Sequence, residues 1–312
     1  MSMALGLLHL SARLPWRLNR GLAALVGGLL YRLPNRERAI ARTNLRLCFP
    51  ELDERQHEAL LRDALLETAR TGLELGRFWF APLNEVLGMI REVRGEAAVE
   101  AAMAAGRGVI IAAPHLGNWE LVGLYCSRRY AMTSLYRPPR RVALDAPIRT
   151  ARERAGARLV PTDIHGVRAL RATLGEGRMI GILPDQDPGA SGSAFAPFFG
   201  QPARTMLLLS RLAAKSGAPV FLTWAQRHGD GFVLHFERAE AAVAERDGVV
   251  AATALNHAVE GCVRQAPAQY QWCYQRFKAQ PDGLPSPYPD RLRLKKRLRR
   301  LRKRLRRLKG QS

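Results

Sequence analysis

From about residue 93 onward, short apolar runs alternate with longer stretches in which apolar residues recur every three or four positions. The apolar runs have the length of strands, and the longer stretches between them have the apolar periodicity of amphipathic helices. Such alternation predicts parallel strands covered by helices. We therefore predict an α/β fold with a mostly parallel central sheet flanked by helices. The predicted strands are GVIIAA (108–113), MTSLY (132–136), ARLVPT (157–162), MIGILP (179–184), APVFLTWAQ (218–226) and GFVLHFER (231–238).

The N-terminal segment 3–33 is strongly apolar, but several arginines and a proline interrupt it. Its longest clean run, GLAALVGGLLY (21–31), has only eleven residues, whereas a helix that crosses a bilayer needs about 20. The pattern favours a helix in the membrane interface, with Trp16 and Tyr31 among the lipid headgroups. A spanning helix and a buried helix of a soluble protein remain as alternatives.

Residues 36–80 have helical periodicity, broken at Pro50. With the alternating region they form a predicted main domain, residues 35–280, between an N-terminal membrane-associated helix (1–34) and a C-terminal segment (281–312). That segment begins within a Pro-rich linker, QPDGLPSPYPD (280–290).

The tail RLRLKKRLRRLRKRLRRLK (291–309) contains thirteen basic residues and six leucines. Leucines recur along one predicted helix face, and positive charge surrounds them. Such a helix binds anionic lipid, with about 1 kcal/mol contributed by each basic residue near the surface. Non-specific binding to nucleic acid or to an acidic carrier protein are alternatives, but no base-reading motif is present, so we expect no specific nucleic-acid partner. The face comprises Leu294, Leu298, Leu301, Leu305 and Leu308.

The composition limits the remaining possibilities. Apolar residues make up 47% of the chain, enough for a sizeable core, and the net charge of +22 requires an anionic partner. Four cysteines are scattered without a Cys-x-x-Cys pair, which suits a reducing compartment. We predict neither a metal site nor a cofactor.

The stretch PHLGNWE (114–120) puts His115 and Glu120 directly after a predicted strand. Open α/β sheets bind ligands at the carboxyl ends of their strands. With Asn118 as a helix N-cap, the loop before it allows His115 to fold back towards Glu120. A carboxylate on one imidazole nitrogen would leave the other free to remove a proton. The alternative is a core histidine and a glutamate that is favoured at any helix N-terminus.

Asp185 follows the apolar run 179–184 and therefore also lies at a predicted strand end. It is a second candidate for the site. The alternative is an ordinary turn or cap residue before Pro188 and Gly189.

Several blocks, in order, resemble one protein family. HLGNWE is similar to the His-x4-Asp/Glu block of the lysophospholipid acyltransferase superfamily, and more closely to that of the bacterial lipid A biosynthesis (lauroyl/myristoyl) acyltransferases. The resemblance covers roughly residues 35–280, and its specificity lies in the combination of blocks. The others are RTNLRLCFPEL (42–52), SLYRPPR (134–140), ILPDQDPG (182–189), SGAPVFLTWAQR (216–227) and YQWCYQRFK (270–278).

The resemblance implies an acyltransferase with His115 as general base and Glu120 as the residue that orients it and stabilises the imidazolium. The attacking group would be a hydroxyl of a phosphorylated glycolipid, a lipid A precursor. The donor would be an acyl thioester on acyl carrier protein, and no covalent acyl-enzyme is expected. The enzyme would lie at the inner membrane with its active site facing the cytoplasm. Gln186 departs from the pattern, because some relatives have histidine there.

Arginine recognises phosphate through paired hydrogen bonds, so arginines near strand ends are candidates for binding the acceptor. We expect Arg137, just after a predicted strand, to bind it, followed by Arg154. Asp185 and Gln186 complete the predicted substrate-binding set. The phenylalanine-rich segment SAFAPFFGQPAR (193–204) is interpreted as a loop that either lines an acyl-chain channel or packs over the core.

Two other functions remain open at this stage. One is the same chemistry on a different acceptor, such as a glycerolipid, a lyso-lipid or an ornithine-type lipid. The other is a non-catalytic protein that binds membranes or nucleic acid through its basic tail.

Overall fold

The computed structural model describes residues 3–139, 142–281 and 284–289. The predicted basic helix of the tail lies outside the described residues. Eleven α-helices occur in the described part: α1 Met3–Arg13, α2 Trp16–Arg32, α3 Arg36–Cys48, α4 Glu54–Phe80, α5 Leu83–Leu87, α6 Glu96–Ala104, α7 Trp119–Tyr130, α8 Asp145–Glu153, α9 Ile164–Gly175, α10 Leu208–Ser216 and α11 Gly248–Gln265. The strands are β1 Ile90–Arg94, β2 Val109–Ala112, β3 Thr133–Tyr136, β4 Arg158–Pro161, β5 Met179–Ile182, β6 Ser193–Phe198, β7 Gln201–Met206, β8 Val220–His228 and β9 Gly231–Arg238.

Seven of these strands form one sheet in the order β1-β9-β8-β2-β5-β3-β4. The five strands from β8 to β4 are parallel. β9 runs antiparallel to β8 because only Gly229 and Asp230 separate the two strands, and so short a connection reverses the chain. β1 is parallel to β9 at the sheet edge. The predicted α/β fold with a mostly parallel sheet is confirmed.

The central strand β2 divides the hydrophobic core in two. Ile110 and Ala112 pack with buried leucines of α9, α10 and α11 on one face. Val109 and Ile111 pack with buried residues of α5, α6 and α7 on the other. Side chains of a strand alternate between the faces of the sheet, so a strand buried on both sides has no polar position. Polar residues can follow β2 only where the strand ends, and His115 lies there.

The interpretation of residues 193–204 as a loop is wrong, because they lie mostly in the antiparallel hairpin β6–β7. Ala196 and Phe198 are buried with period-2 spacing, while Pro197 between them is exposed. The hairpin packs on α11, whose Asn256 donates a side-chain hydrogen bond of 2.9 Å to the Pro197 carbonyl. The alternation typical of a strand was present in the sequence, but Pro197 and Pro202 argued against a strand there, because proline cannot donate a backbone hydrogen bond.

The N-terminal segment forms two helices, α1 and α2, where a single helix was predicted. Both pack on α4 at glycines. A Cβ at Gly76 would lie 2.1 Å from the Leu8 carbonyl oxygen of α1, and a Cβ at Gly27 of α2 would lie 2.7 Å from the Leu66 Cα. Among the described helices, none combines the length and apolarity needed to cross a membrane.

The same two helices expose leucines on the side away from α4. On α2 they recur at spacings of four, three and four residues, which forms one stripe of a helix. We call these residues the outer leucine face: Leu7 and Leu10 of α1, and Leu18, Leu22, Leu25 and Leu29 of α2.

Candidate active site

The register of β2 and β5 brings His115 and Asp185 together. Ala112, the last residue of β2, lies opposite Ile182, the last residue of β5. His115 follows Ala112 by three residues and Asp185 follows Ile182 by three, so two parallel neighbours deliver both side chains to one point. Parallel strands end at the same edge of a sheet, which is where open α/β folds place ligands.

Asp185 is bonded twice to His115. Its Oδ1 lies 2.8 Å from the imidazole Nδ1, and its Oδ2 accepts a hydrogen bond of 2.9 Å from the His115 backbone N–H. A carboxylate on Nδ1 holds the neutral ring in the tautomer that carries its proton there, so Nε2 has a free lone pair. Burial by itself would raise the pKa of Asp185, but the charge and hydrogen bonds of His115 hold that pKa below its ordinary value. The ring and carboxylate are thus arranged for proton transfer at Nε2.

The Nε2 side of the ring faces an amide pair. Gln186 Nε2 lies 3.2 Å from His115 Nε2 and donates to Gln271 Oε1 at 2.8 Å. The neighbouring Trp119 ring lies 4.9 Å from the imidazole between centroids. Gln186, the residue that departs from the family pattern, is therefore in contact with the ring atom that would remove a proton.

The loop 114–118 is fixed by backbone contacts on two sides. The Asn118 N–H donates to the carbonyl of Ala225 within β8 at 2.9 Å, and the Gln271 N–H donates to the His115 carbonyl at 3.0 Å. Gly117 has a φ of +62°, and a Cβ there would lie 1.9 Å from the Ala225 carbonyl oxygen. Only glycine permits both this backbone conformation and this close approach.

Glu120 lies in the first turn of α7, as predicted, but its carboxylate contacts Arg152 of α8. Arg152 Nε donates to Oε2 at 3.0 Å and Nη2 donates to Oε1 at 2.5 Å, a bidentate pair. Burial by itself would raise the pKa of Glu120, but Arg152 holds it below the ordinary value, and the nearby charge of His115 acts in the same direction. The hydrogen bond to the imidazole that the sequence suggested for Glu120 is made by Asp185.

An apolar cavity of about 60 Å³ begins beside this ion pair and runs between α7 and the sheet. Glu120 and Arg152 are the charged residues of its lining, and we call the part beside them, which Trp119 also lines, its polar end. The remainder is lined by aliphatic and small side chains, among them Val122 of α7 and Leu159 of β4. No residue of the β6–β7 hairpin contributes to this lining.

The two arginines predicted to bind substrate have different surroundings. Arg137 follows β3 directly, is exposed, and makes no hydrogen bond or ion pair with the described residues. Arg154 uses its guanidinium for the end of α4: Nη2 donates to the Phe78 carbonyl at 2.8 Å, and Nη1 donates to that of Ala81. Burial lowers the pKa of Arg154. These bonds cap carbonyl groups that have no partner within α4.

Three residues of the site were not among those predicted from the sequence to act in catalysis or substrate binding. Arg152 is one of several arginines in its stretch, Gln271 carries no chemical signal of its own, and Tyr270 resembles a core aromatic. Burial, followed by the Asp185 carboxylate, raises the pKa of Tyr270 well above its ordinary value. Their proximity to Glu120, Gln186 and Asp185 depends on contacts distant in sequence, so only the resemblance of the block 270–278 pointed to any of them.

A buried network of polar side chains stabilises the loop 114–118 through Asn118. Asn118, the N-cap of α7, donates through Nδ2 to Glu74 Oε2 of α4 at 3.0 Å. Arg227 of β8 donates to the same carboxylate, with Nη2 at 2.6 Å from Oε2. Glu67 of α4 accepts a further bond from Arg227 at 3.1 Å. The network connects the helical layer, the sheet and the residue that begins α7.

Comparison with known proteins agrees with the resemblance seen in the sequence. Residues 1–279 match the family described as bacterial lipid A biosynthesis acyltransferase. Lipid A biosynthesis lauroyltransferase of Escherichia coli K12 is 28% identical over 92% of this chain and 94% of its own length. Lipid A biosynthesis palmitoleoyltransferase of the same strain is 30% identical over 91% of this chain and 92% of its own length.

A more distant relative has a different acceptor in its name. Phosphatidylinositol mannoside acyltransferase of Mycobacterium tuberculosis is 28% identical over 46% of this chain and 48% of its own length. The family match covers far more of the sequence. This chain is an acyltransferase and belongs to the bacterial lipid A biosynthesis acyltransferase family.

Proposed function

We propose that this enzyme transfers a fatty acyl chain from acyl carrier protein to a hydroxyl of a phosphorylated lipid A precursor, with His115 as general base. The observation that carries the proposal is the paired contact of Asp185 with the Nδ1 and the backbone N–H of His115 at the sheet edge. It leaves Nε2 facing the side-chain amide of Gln186, which an acceptor hydroxyl would replace.

The reaction needs one base and no covalent intermediate. As the hydroxyl oxygen attacks the thioester carbonyl, its proton moves to Nε2, and the imidazolium is stabilised by the Asp185 carboxylate. The new C–O bond forms and the C–S bond breaks. The proton then passes from Nε2 to the leaving thiolate of the carrier, so the enzyme returns to its starting state.

Glu120 acts mainly through Arg152 in this proposal. The bidentate pair fixes the guanidinium at the polar end of the cavity, where it presents positive charge towards the bound substrates. Glu120 also contributes its negative charge to the stabilisation of a protonated His115, since each influences the other electrostatically. Arg137 remains a candidate ligand of the acceptor phosphates. Arg154 is not retained, because its guanidinium is bonded to the end of α4.

The cavity between α7 and the sheet is the proposed site of the acyl chain. It starts beside Glu120 and Arg152 and is lined mostly by apolar side chains. A thioester at its polar end would have its carbonyl near His115 and its hydrocarbon away from water. The cavity as it stands holds little of a long chain, so binding requires the lining side chains to move apart.

The enzyme is also proposed to act at the inner membrane, with its site open to the cytoplasm. The outer leucine face supports this, because Leu18 and Leu25 are each more than 60% exposed. Exposed leucines in a stripe, flanked by arginines, are typical of helices that lie in a membrane interface. The anionic surface would attract the basic tail as well.

The direct test replaces His115 by alanine in the full-length protein. Transfer from acyl carrier protein to a lipid A precursor should fall by roughly 10²- to 10⁴-fold, since general base catalysis is lost. The control is His165→Ala, at an exposed position on α9, which should retain activity. Undiminished turnover by His115→Ala would eliminate the base assignment.

The acceptor needs a separate test, because the name of the mycobacterial relative allows another lipid. Mass spectrometry of lipid A from a strain lacking this enzyme should show the loss of one acyl chain. An unchanged lipid A, with a change in a glycerolipid, lyso-lipid or ornithine-type lipid, would support the alternative acceptor instead.

A further inference from the structure

A second cavity, with a polar lining, lies apart from the acyl-transfer site, where α2 and α4 meet the start of β1 and the turn between β8 and β9. Its volume is about 280 Å³, several times the roughly 30 Å³ that one water molecule occupies in the liquid. We call it the arginine pocket, and it is lined by Trp16, Arg17, Arg77, Met89, Arg91 and Asp230.

The charges around the arginine pocket do not balance. Its one carboxylate, Asp230, is already paired with Arg20 at 2.8 Å. Among the described residues, neither Arg17 nor Arg91 forms an ion pair, and both are exposed. Like charges close together are unfavourable, so three guanidinium groups around one cavity favour an anion between them.

Buried donors without an acceptor adjoin the same cavity. Arg77 donates from Nη2 to the Leu14 carbonyl at 2.7 Å, but its buried Nε has no partner among the described residues. The Trp16 indole Nε1 is also buried without one. The Arg77 guanidinium lies 5.9 Å from the Trp16 ring centroid, which holds these two side chains together. Both side chains belong to the lining of the arginine pocket, and buried polar groups without a hydrogen-bond partner are unusual in folded proteins.

We propose that the arginine pocket binds a phosphate group. Several guanidinium donors around one cavity suit an anion with many acceptor oxygens, and arginine binds phosphate through pairs of N–H groups. The site lies beyond the acyl-transfer reaction and does not depend on the role proposed for His115.

Its surroundings make a lipid headgroup the expected source of the phosphate. The turn at Asp230 follows β8, which is parallel to β2. The pocket and His115 therefore both lie on the side of the sheet where the parallel strands have their carboxyl ends. Arg17 also precedes Leu18 of the outer leucine face and lies about 100° around α2 from it. With the leucines in the apolar layer, the pocket would be level with the headgroups.

The test measures hydrogen exchange of the full-length protein over residues 16–20 and 89–92. One arm adds inorganic phosphate at constant ionic strength, and the other adds phosphatidylglycerol vesicles. Arg17→Gln combined with Arg91→Gln should raise the half-saturating ligand concentration roughly tenfold, since hydrogen bonds to a charged ligand are lost. The matched control, Arg107→Gln with Arg211→Gln, removes the same charge from exposed positions elsewhere and should behave as the unsubstituted protein.

Pocket-dependent protection by inorganic phosphate shows that the free anion suffices, and protection by vesicles alone identifies the lipid headgroup. Either result supports the site. The proposal is overturned if the pocket variant and the control respond alike in both arms. Arg17→Gln alone, measured alongside, excludes misfolding of the double variant as the cause of a loss.

Discussion

At the scale of single residues, the site depends on a contact between positions 70 apart in the sequence. His115 and Asp185 meet because β2 and β5 are in register, and the carboxylate then holds the imidazole by both its ring and its backbone N–H. Without that carboxylate the ring could rotate or exchange its tautomer, and an imidazolium would lose its counter-charge.

Asp185→Asn should therefore lower kcat by roughly 10²-fold or more while the fold is kept, since an amide of the same shape carries no charge. Steady-state kinetics with an acyl carrier protein donor measures this. Asp63→Asn makes the same exchange on a half-exposed side chain of α4 and should leave kcat unchanged. A variant at 185 with normal kcat would show that His115 needs no partner.

Gly117 is the other residue on which the loop depends. Gly117→Ala forces a Cβ to 1.9 Å from the Ala225 carbonyl oxygen at a φ of +62°. We expect it to destabilise the protein by about 1–3 kcal/mol and to displace the loop that carries His115, so activity falls as well.

The control for that glycine is Gly175→Ala at the end of α9, where a Cβ would meet no atom within 4 Å. It should be neutral or stabilising by up to about 1 kcal/mol, because alanine is the better helix former. Chemical denaturation of both variants gives the comparison. Equal stability of the two would contradict the steric argument.

At the scale of elements, α1 and α2 are positioned by α4 and not by their own apolar composition. Glycines allow close backbone approach at both crossings, and the buried Asn19 of α2 donates to the Leu73 carbonyl of α4 at 3.3 Å. These contacts use one side of each helix. The outer leucine face lies on the other side of these helices, and its exposure is the physical basis for proposing a membrane contact.

Leu18→Asn combined with Leu25→Asn should weaken partitioning into anionic vesicles by at least about tenfold, because two apolar side chains no longer leave water. Co-sedimentation at about 0.5 M salt is the appropriate measurement, since salt screens the attraction of the basic tail. Val249→Asn with Val250→Asn replaces two exposed apolar residues of α11 and serves as the control. A similar loss in both variants would argue against a specific face.

At the scale of the whole molecule, Asp187 joins three distant segments. It lies just after the site residues 185 and 186, receives a bidentate bond from Arg204 of β7, and lies 3.1 Å from Lys278 Nζ. Burial opposes its ionisation, yet the bonds from Arg204, the Gly189 backbone N–H and Lys278 bring the pKa of Asp187 from 3.8 to about 2.

A carboxyl group whose pKa is lowered on folding stabilises the protein above its unfolded pKa, and this contribution is lost as the pH falls through the folded value. Asp187→Asn should thus reduce the free energy of unfolding by about 1–3 kcal/mol at pH 6. The difference from the unsubstituted protein should shrink as the pH falls from 3.8 to about 2. Denaturation at several pH values tests this, and a difference that stays constant with pH would contradict it.

The sequence determined much of the local structure. Runs such as 108–113 and 179–184 indicated buried strands, because they are short and no polar side chain interrupts them. Family blocks marked His115, Glu120, Asp185 and Gln186, all of which lie close to one another in the structure. Periodicity and strand ends are local properties, so they can be found without knowledge of the fold.

Only the tertiary structure decided which of these residues touch. Glu120 is near His115 in the chain, but it pairs with Arg152, while the more distant Asp185 takes the imidazole. The sequence suggested Arg154 as a phosphate ligand, but in the structure its guanidinium donates hydrogen bonds to carbonyl groups at the end of α4. Pairing depends on strand register and helix packing, which arise from long-range contacts that no local pattern records. The sequence therefore determined the elements and the chemical groups, and the packing of those elements decided their partners.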